Sequence, residues 1–235
     1  MYNDKYVQVY FHIKHDNCWT NITENKNLNI HTKVSNVNSN KNYIFGIIEI
    51  KSCSENDFKN FYNLFKKSKI IKEILYISIV DRRKNLYEIA FKERYENMVS
   101  SVLYEHNALE HNDLINNNME YITALIPGED VKDLKNDLSD LGELESFTAK
   151  SKVCGDSKSL FSLTDQEALT IYTAYINDYF NIPRKKYLRE LSEVTGLSKS
   201  TLEEYIRKAT YKIIKDWIYQ NEYFLIDKFG KRVIK

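Results

Sequence analysis

The segment Lys186–Ala209, KYLRELSEVTGLSKSTLEEYIRKA, decides the reading of the C-terminal part of this chain. Leu188, Leu191 and Val194 put apolar groups on one side of a first helix. Ser192 and Gly196 stand four residues apart, where small residues let helices pack closely and glycine takes the positive φ of a tight turn. Leu197 is the apolar residue of that turn, and Ser198 is placed to cap the next helix with its hydroxyl. Leu202, Ile206, Ala209 and Ile213 then recur at helical spacing and predict a buried stripe. Lys199, Ser200, Glu203, Glu204, Arg207 and Lys208 are left for the outer face. One packed face and one free face is what a helix needs if it is to lie in a major groove.

Two amphipathic helices around a glycine turn also occur in helical bundles of every kind, so the neighbouring sequence matters. A longer amphipathic helix is predicted over Thr164–Phe180. Thr164 and Glu167 have the S/T-x-x-E form of a capping box, and Leu163 with Ala168 can bracket the start as a hydrophobic staple. Asn181-Ile182-Pro183 ends that helix, because the residue before proline disfavours the α region. Tyr172, Tyr175, Tyr179 and Phe180 share one face, which predicts packing under the following helix in preference to stacking on single-stranded bases.

Leu163-Thr164, Tyr179-Phe180, Pro183-Arg184 and the run Gly196-Leu197-Ser198-Lys199-Ser200-Thr201-Leu202 stand in the order and spacing of a known pattern. Together they resemble the C-terminal DNA-binding domain of the bacterioopsin-activator-type helix-turn-helix regulators of archaea. The resemblance covers about a quarter of the chain strongly. A weaker one reaches the other end, where Asn17-Cys18-Trp19-Thr20 resembles a Cys-Trp-Thr signature near the start of family members. The resemblance implies a transcription regulator of archaeal, cytoplasmic type, with a sensing domain ahead of the helix-turn-helix.

Composition is compatible with that. At 235 residues the chain is one large domain or two ordinary ones, and 43% hydrophobic residues suffice for real cores. No run of about 18 apolar residues predicts a membrane helix, and the start MYNDKYVQ lacks the basic and apolar regions of a secretory signal. Cys18, Cys53 and Cys154 are odd in number and widely spaced, which excludes a disulfide framework and suits a reducing compartment. A net charge of +1 argues against a massively basic coat. A sequence-specific binder needs only local clusters, and Arg184, Lys185 and Lys186, then Arg207, Lys208, Lys212 and Lys215, supply them. A solvated charged surface explains the same residues, because Glu190, Glu193, Glu203 and Glu204 are interleaved. The abundance of isoleucine, asparagine, lysine and tyrosine reads as nucleotide-composition bias.

The N-terminal region has other periodicities. Strands are predicted over 5–13, 43–51, 73–80, 86–91, near 107–112, over 119–126 and over 144–149. Helices are predicted over 55–68, 95–104 and 130–141. The order is β-α-β then β-α-β-β-α-β, so the fold class expected for residues 1–150 is α+β, built of ferredoxin-like βαβ units on a mostly antiparallel sheet. The polar, asparagine-rich stretch 20–42 reads as a long hairpin loop. Residues 151–161 have linker composition, 162–219 form the all-α helix-turn-helix domain, and 220–235 are a tail. The tail reads either as a β-hairpin wing or as an extension that pairs two subunits, and apolar Ile213, Ile214, Trp217 and Ile218 favour dimerisation there.

The sequence offers little catalytic chemistry. There is no G-x-G-x-x-G, G-x-x-x-x-G-K-S/T or G-x-S-x-G, and only six glycines in all. No enzyme and no cofactor are expected. His15 and Cys18, in H-x-x-C spacing with His31 as a third donor, are weighed as a metal site and set below simple packing, since no C-x-x-C or H-x-x-x-H pair accompanies them. His106 and His111 have no identifiable acid or nucleophile partner. Cys18 and Trp19 are instead read two ways, as the wall of a ligand pocket or as core capping one end of the sheet.

The expected function is a sequence-specific, duplex-DNA-binding regulator, homodimeric, with an N-terminal unit that senses a small-molecule effector or mediates association. Lys199, Ser200 and Glu204 are assigned to base edges. Arg184, Lys185, Lys186, Thr201, Arg207 and Lys208 are assigned to phosphates, with Ser198 at the helix start. The alternative is an adaptor whose helical domain grips a partner protein, such as a basal transcription factor. The weak net charge and Glu203-Glu204 favour that alternative, and the Pro-Arg-Lys-Lys run disfavours it.

Overall fold

A computed structural model describes residues 6–26, 28–151 and 163–233 of the chain, which divides into two units, Met1–Val153 and Cys154–Lys235. The strands of the first unit are β1 (Tyr6–Lys14), β2 (Leu28–Asn38), β3 (Tyr43–Ser52), β4 (Ile71–Asp81), β5 (Leu86–Arg94), β6 (Glu110–Asn116), β7 (Met119–Pro127) and β8 (Glu143–Ser151). Its helices are α1 (Glu55–Phe65), α2 (Val99–Glu105) and α3 (Val131–Leu141). All eight strands form one sheet in the order β4-β5-β3-β2-β6-β7-β1-β8, and every pairing is antiparallel.

The order resolves into two ferredoxin-like halves. Read as β1-α2-β6-β7-α3-β8, the second half has the sheet order β8-β1-β7-β6 of a split βαβ unit. The first half, β2-β3-α1-β4-β5, has the order β2-β3-β5-β4, the same arrangement with its last strand supplied first. The first half is therefore inserted between β1 and the rest of the second. The halves meet where β2 pairs with β6 over only Ile30–Thr32.

Period-two alternation builds the cores. On β3, Ile44, Ile48 and Ile50 turn inward, and α1 lays Phe58, Phe61 and Phe65 over them and over Tyr87, Ile89 and Phe91 of β5. Ser54 caps α1 by accepting the Asp57 N–H at 3.2 Å. The second core joins Val9, Phe11 and Ile13 of β1 to Ile122, Ala124 and Ile126 of β7, under Val99, Leu103, Leu134 and Leu138. With few glycines available, asparagine makes the tight corners: Asn17, Asn25, Asn42, Asn85, Asn97, Asn107, Asn117 and Asn118 all have positive φ. Asparagine tolerates that region because its short side chain hydrogen-bonds locally.

The stretch 20–42 is not a loop. A 3₁₀ turn, Trp19–Thr23, leads into β2, which pairs with β3 from Leu28↔Ser52 to Asn38↔Tyr43. Its inward residues Leu28 and Ile30 are fully buried. A register shift between Thr32 and Val34 interrupts the alternation, and the outward face is polar, so the strand signal is diluted. Along β4, at the sheet edge, Leu75, Tyr76, Ile77, Ile79 and Val80 are exposed.

The second unit contains α4 (Asp165–Ile176), α5 (Leu188–Thr195) and α6 (Lys199–Val233). Its core is Ala174, Leu191, Leu202 and Ile206, with Ile171, Tyr179, Leu188 and Leu197 packed against it. The tail is not a hairpin wing: α6 runs on through residue 233 as one helix of 35 residues, about 52 Å long at 1.5 Å per residue. Gly230 lies within it, and a helix absorbs one glycine at a cost of about 1 kcal/mol. Helix α4 stops before the expected Phe180, because Asp178 has positive φ. Among the described residues no helix is long and apolar enough to cross a membrane.

Candidate nucleic-acid interface

The turn between α5 and α6 is made by local chemistry. Gly196 takes φ +69° and donates its N–H to the Ser192 carbonyl at 3.0 Å, closing α5. A Cβ there would meet nothing within 4 Å, so the position needs glycine for its φ and not for space. The Ser192 hydroxyl donates to the Leu197 carbonyl at 2.6 Å and ties the turn to α5. Ser198 then caps α6: its Oγ accepts the Thr201 N–H at 3.1 Å and lies 2.8 Å from the Thr201 hydroxyl and 2.9 Å from that of Ser200.

Helix α6 is held by Leu202, Ile206 and Ala209, all buried, and presents Lys199, Ser200, Glu203, Glu204, Arg207 and Lys208 to solvent. The expected base-reading residues Lys199, Ser200 and Glu204 thus lie on the free side of its first turns. Thr201 is half-buried beside the cap. Lys208 Nζ lies 2.6 Å from Glu204, which holds that carboxyl below its ordinary range and raises the lysine. A base contact by Glu204 therefore has to compete with its own helix neighbour. Tyr211, 67% exposed, continues the same face, although tyrosine at helical spacing reads as core in sequence.

The basic cluster before α5 is partly preorganised. The Arg184 guanidinium stacks over the Tyr179 ring at 4.3 Å, and Lys185 Nζ lies 3.4 Å from Asp178. Arg184 and Lys185 are exposed and Lys186 half-buried. Helix α4 is joined to α6 by Glu167, whose carboxylate accepts the Thr164 N–H at 2.8 Å and pairs with Lys212 at 2.7 Å. The Lys212 hydrogen bond, then the Thr164 N–H, hold the Glu167 carboxyl below its ordinary range.

Several apolar residues face outward against expectation. Val194 is 56% exposed and Ile213 46% exposed, so the buried stripes of α5 and α6 end at Leu191 and Ala209. Tyr172 and Tyr175 are exposed, and Phe180 is 43% exposed; of the four aromatics only Tyr179 packs against the core. With Leu169 and Ile176 they give α4 an apolar outer face.

In the N-terminal unit, Cys18 and Trp19 are buried. Trp19 lies edge-on to Phe65, Phe91 and Phe61, with ring centroids 5.2, 5.9 and 6.4 Å away, and its indole N–H donates to Glu93 at 2.7 Å. Both residues line a cavity of about 30 Å³. That is far below the roughly 300–1,000 Å³ of sites for drug-sized molecules, so the cavity does not fit an organic effector of that size.

Residues 163–215 match a family model described as an HTH DNA binding domain, less than a quarter of the chain. The match falls on the segment that resembles the bacterioopsin-activator type, and the segment is a helix-turn-helix DNA-binding domain of that type. No curated protein and no solved structure matches the chain.

Proposed function

We propose that this chain is a sequence-specific regulator of transcription that binds duplex DNA as a homodimer and acts by binding and not by catalysis. The observation that carries the reading is the free face of α6, from Lys199 to Lys208, on a domain of a DNA-binding family. Lys199 and Ser200 supply donors to base edges at the helix start, while Arg184, Lys185, Lys186, Arg207 and Lys208 flank it for phosphates. Dimerisation is assigned to the second half of α6, where Ile213, Ile214, Trp217, Ile218, Ile226 and Phe229 are exposed at helical spacing. A dimer would span two half-sites about one helical turn apart. The N-terminal unit serves as the sensing or association module, and the exposed apolar edge of β4 supports association.

The test is binding of the full chain to its own upstream DNA and to random duplex, titrated with salt. Selective binding whose log affinity falls linearly with log salt, with a slope of roughly −0.9 per phosphate contact, supports the reading. Weak, equal binding to both supports the second reading, an adaptor that grips a partner protein. The apolar outer face of α4, Leu169, Tyr172, Tyr175 and Ile176, is what favours that alternative.

A further inference from the structure

Sheet alternation brings three acids from distant strands onto the helix-covered face of the N-terminal unit. Glu120 of β7 stands opposite Ile13, Asp113 of β6 opposite Ile122, and Glu93 of β5 opposite Ile44. Each shares its face with core residues. The chain leaving β1 turns at Asn17, φ 59°, and lays His15 and Cys18 over Glu120. His15 Nε2 is 2.9 Å from Glu120 Oε1, and Cys18 Sγ is 3.7 Å from the same oxygen. The nitrogen, sulfur and oxygen donors lie within 4.8 Å of one another, and all three residues are buried. Donors arranged tetrahedrally about zinc at its usual bond lengths are separated by about 3.3–3.7 Å, so only small shifts would close this set on an ion.

Independent observations point to a missing cation. Asp113 accepts the Thr32 hydroxyl at 3.0 Å through Oδ2, while its Oδ1 is buried without a hydrogen-bond partner. His15, Cys18, Glu93, Asp113 and Glu120 line one cavity, and among the described residues no lysine or arginine lines it. Buried acids are costly unless they are paired or coordinate a metal. Its volume of about 30 Å³ takes one or two water-sized particles, an ion and a water for example.

We propose that His15, Cys18 and Glu120 bind one divalent transition-metal ion of the zinc class, with Asp113 or a water completing the set. Imidazole with thiolate selects borderline ions and excludes calcium and magnesium, which take oxygen donors. Binding replaces the His15–Glu120 hydrogen bond with two metal bonds and releases the Cys18 proton to solvent. Thr20, whose hydroxyl donates to Glu120 at 3.1 Å, orients the carboxylate. Gly142 keeps His15 seated, since a Cβ there would come within 2.6 Å of the His15 Cβ and 2.3 Å of the Lys14 carbonyl oxygen. The third ligand is not His31, which follows the inward Ile30 on β2 and is outside the cluster. The site belongs to the N-terminal unit and stands or falls apart from DNA binding.

The experiment uses the full chain, stripped with chelator and titrated with Co²⁺ as a spectroscopic probe. The expected result is saturation at one Co²⁺ per chain, with near-ultraviolet thiolate-to-metal absorption that Zn²⁺ abolishes by displacement. Cys18→Ser should remove that absorption, and Cys53→Ser should leave it. Glu120→Gln, which keeps the side-chain shape, should keep the absorption but weaken Co²⁺ binding at least tenfold. No saturable uptake by the unaltered chain overturns the proposal, as does absorption that survives Cys18→Ser. Should Cys18→Ser fail to fold, Glu120→Gln decides, and unchanged affinity there also overturns the proposal.

Discussion

Leu191→Ala is the sharpest probe of how the DNA-binding unit is held. Leu191 is fully buried in a small core with Ala174, Leu202 and Ile206. Truncation removes three carbons, about 2.4 kcal/mol of transfer free energy at ~0.8 kcal/mol each. The cavity left behind adds about 1 kcal/mol or more, for a total of about 3–4 kcal/mol. A unit of this size has only about 4–10 kcal/mol of stability in all. Hydrogen exchange of the full chain, read by mass spectrometry, separates the two units. Amides of α5 should exchange at least about 100-fold faster, two decades at 1.4 kcal/mol each, while the sheet is unchanged. DNA affinity should fall with them. Leu169→Ala, at a residue 58% exposed, should cost no more than about 0.5 kcal/mol. If Leu191→Ala left α5 exchange and DNA affinity within about twofold of the original, the packing argument would be wrong.

The remaining expectations concern the interface and its supports. Lys199→Ala should cost about 1–3 kcal/mol on the operator and relax specificity, whereas Lys186→Ala should weaken all duplexes alike; equal loss for Lys199→Ala on operator and random DNA, measured by anisotropy, would refute the assignment. Glu167→Gln should destabilise the helical unit at pH 7. Because the folded carboxyl titrates below its ordinary range, the ionised form's contribution is present above the unfolded pKa, about 4.3, and is lost as pH falls through the folded value. Urea melts should therefore converge near pH 3, and a difference constant across pH would speak against the ion pair. Gly196→Ala should cost about 1–2 kcal/mol through backbone strain alone, checked by thermal melting; a much larger loss would mean a steric role. Trp217→Glu with Ile218→Glu should turn a dimer into a monomer in analytical ultracentrifugation, and a persisting dimer would move the interface elsewhere, to the β4 edge for example.

The helix-turn-helix was legible because its signals are local. Gly196, Ser198 and the Thr164–Glu167 box each act within one turn of chain. What periodicity could not say is what covers a face. Val194, Ile213, Tyr172 and Tyr175 have helical spacing and yet lie outside, because the three-helix core is too small to reach them. Strand β2 carries a weak strand signal because its exposed side is asparagine-rich and its register shifts. The acids of the N-terminal cavity come from strands far apart in sequence, which no single window brings together. A trace was present even so: Glu120 keeps step with Ile122, Ala124 and Ile126, and Glu93 with Ile89 and Phe91. An acid in phase with an apolar strand face is the signal to look for.

The insertion of one ferredoxin-like half into the other has a cost in time during synthesis. Strand β1 precedes the other strands of its unit, and its partners β7 and β8 are the last of them to be made, from residue 119 onward. At ~5–20 residues per second, a nascent chain carries β1 unpaired for roughly 5–20 seconds, with Val9, Phe11 and Ile13 still without their core. The inserted half has its own strand partners in hand well before that. On the ribosome, β1 therefore waits for β7 and β8, and a chaperone that shields short apolar strands has a client in Tyr6–Lys14 during that interval.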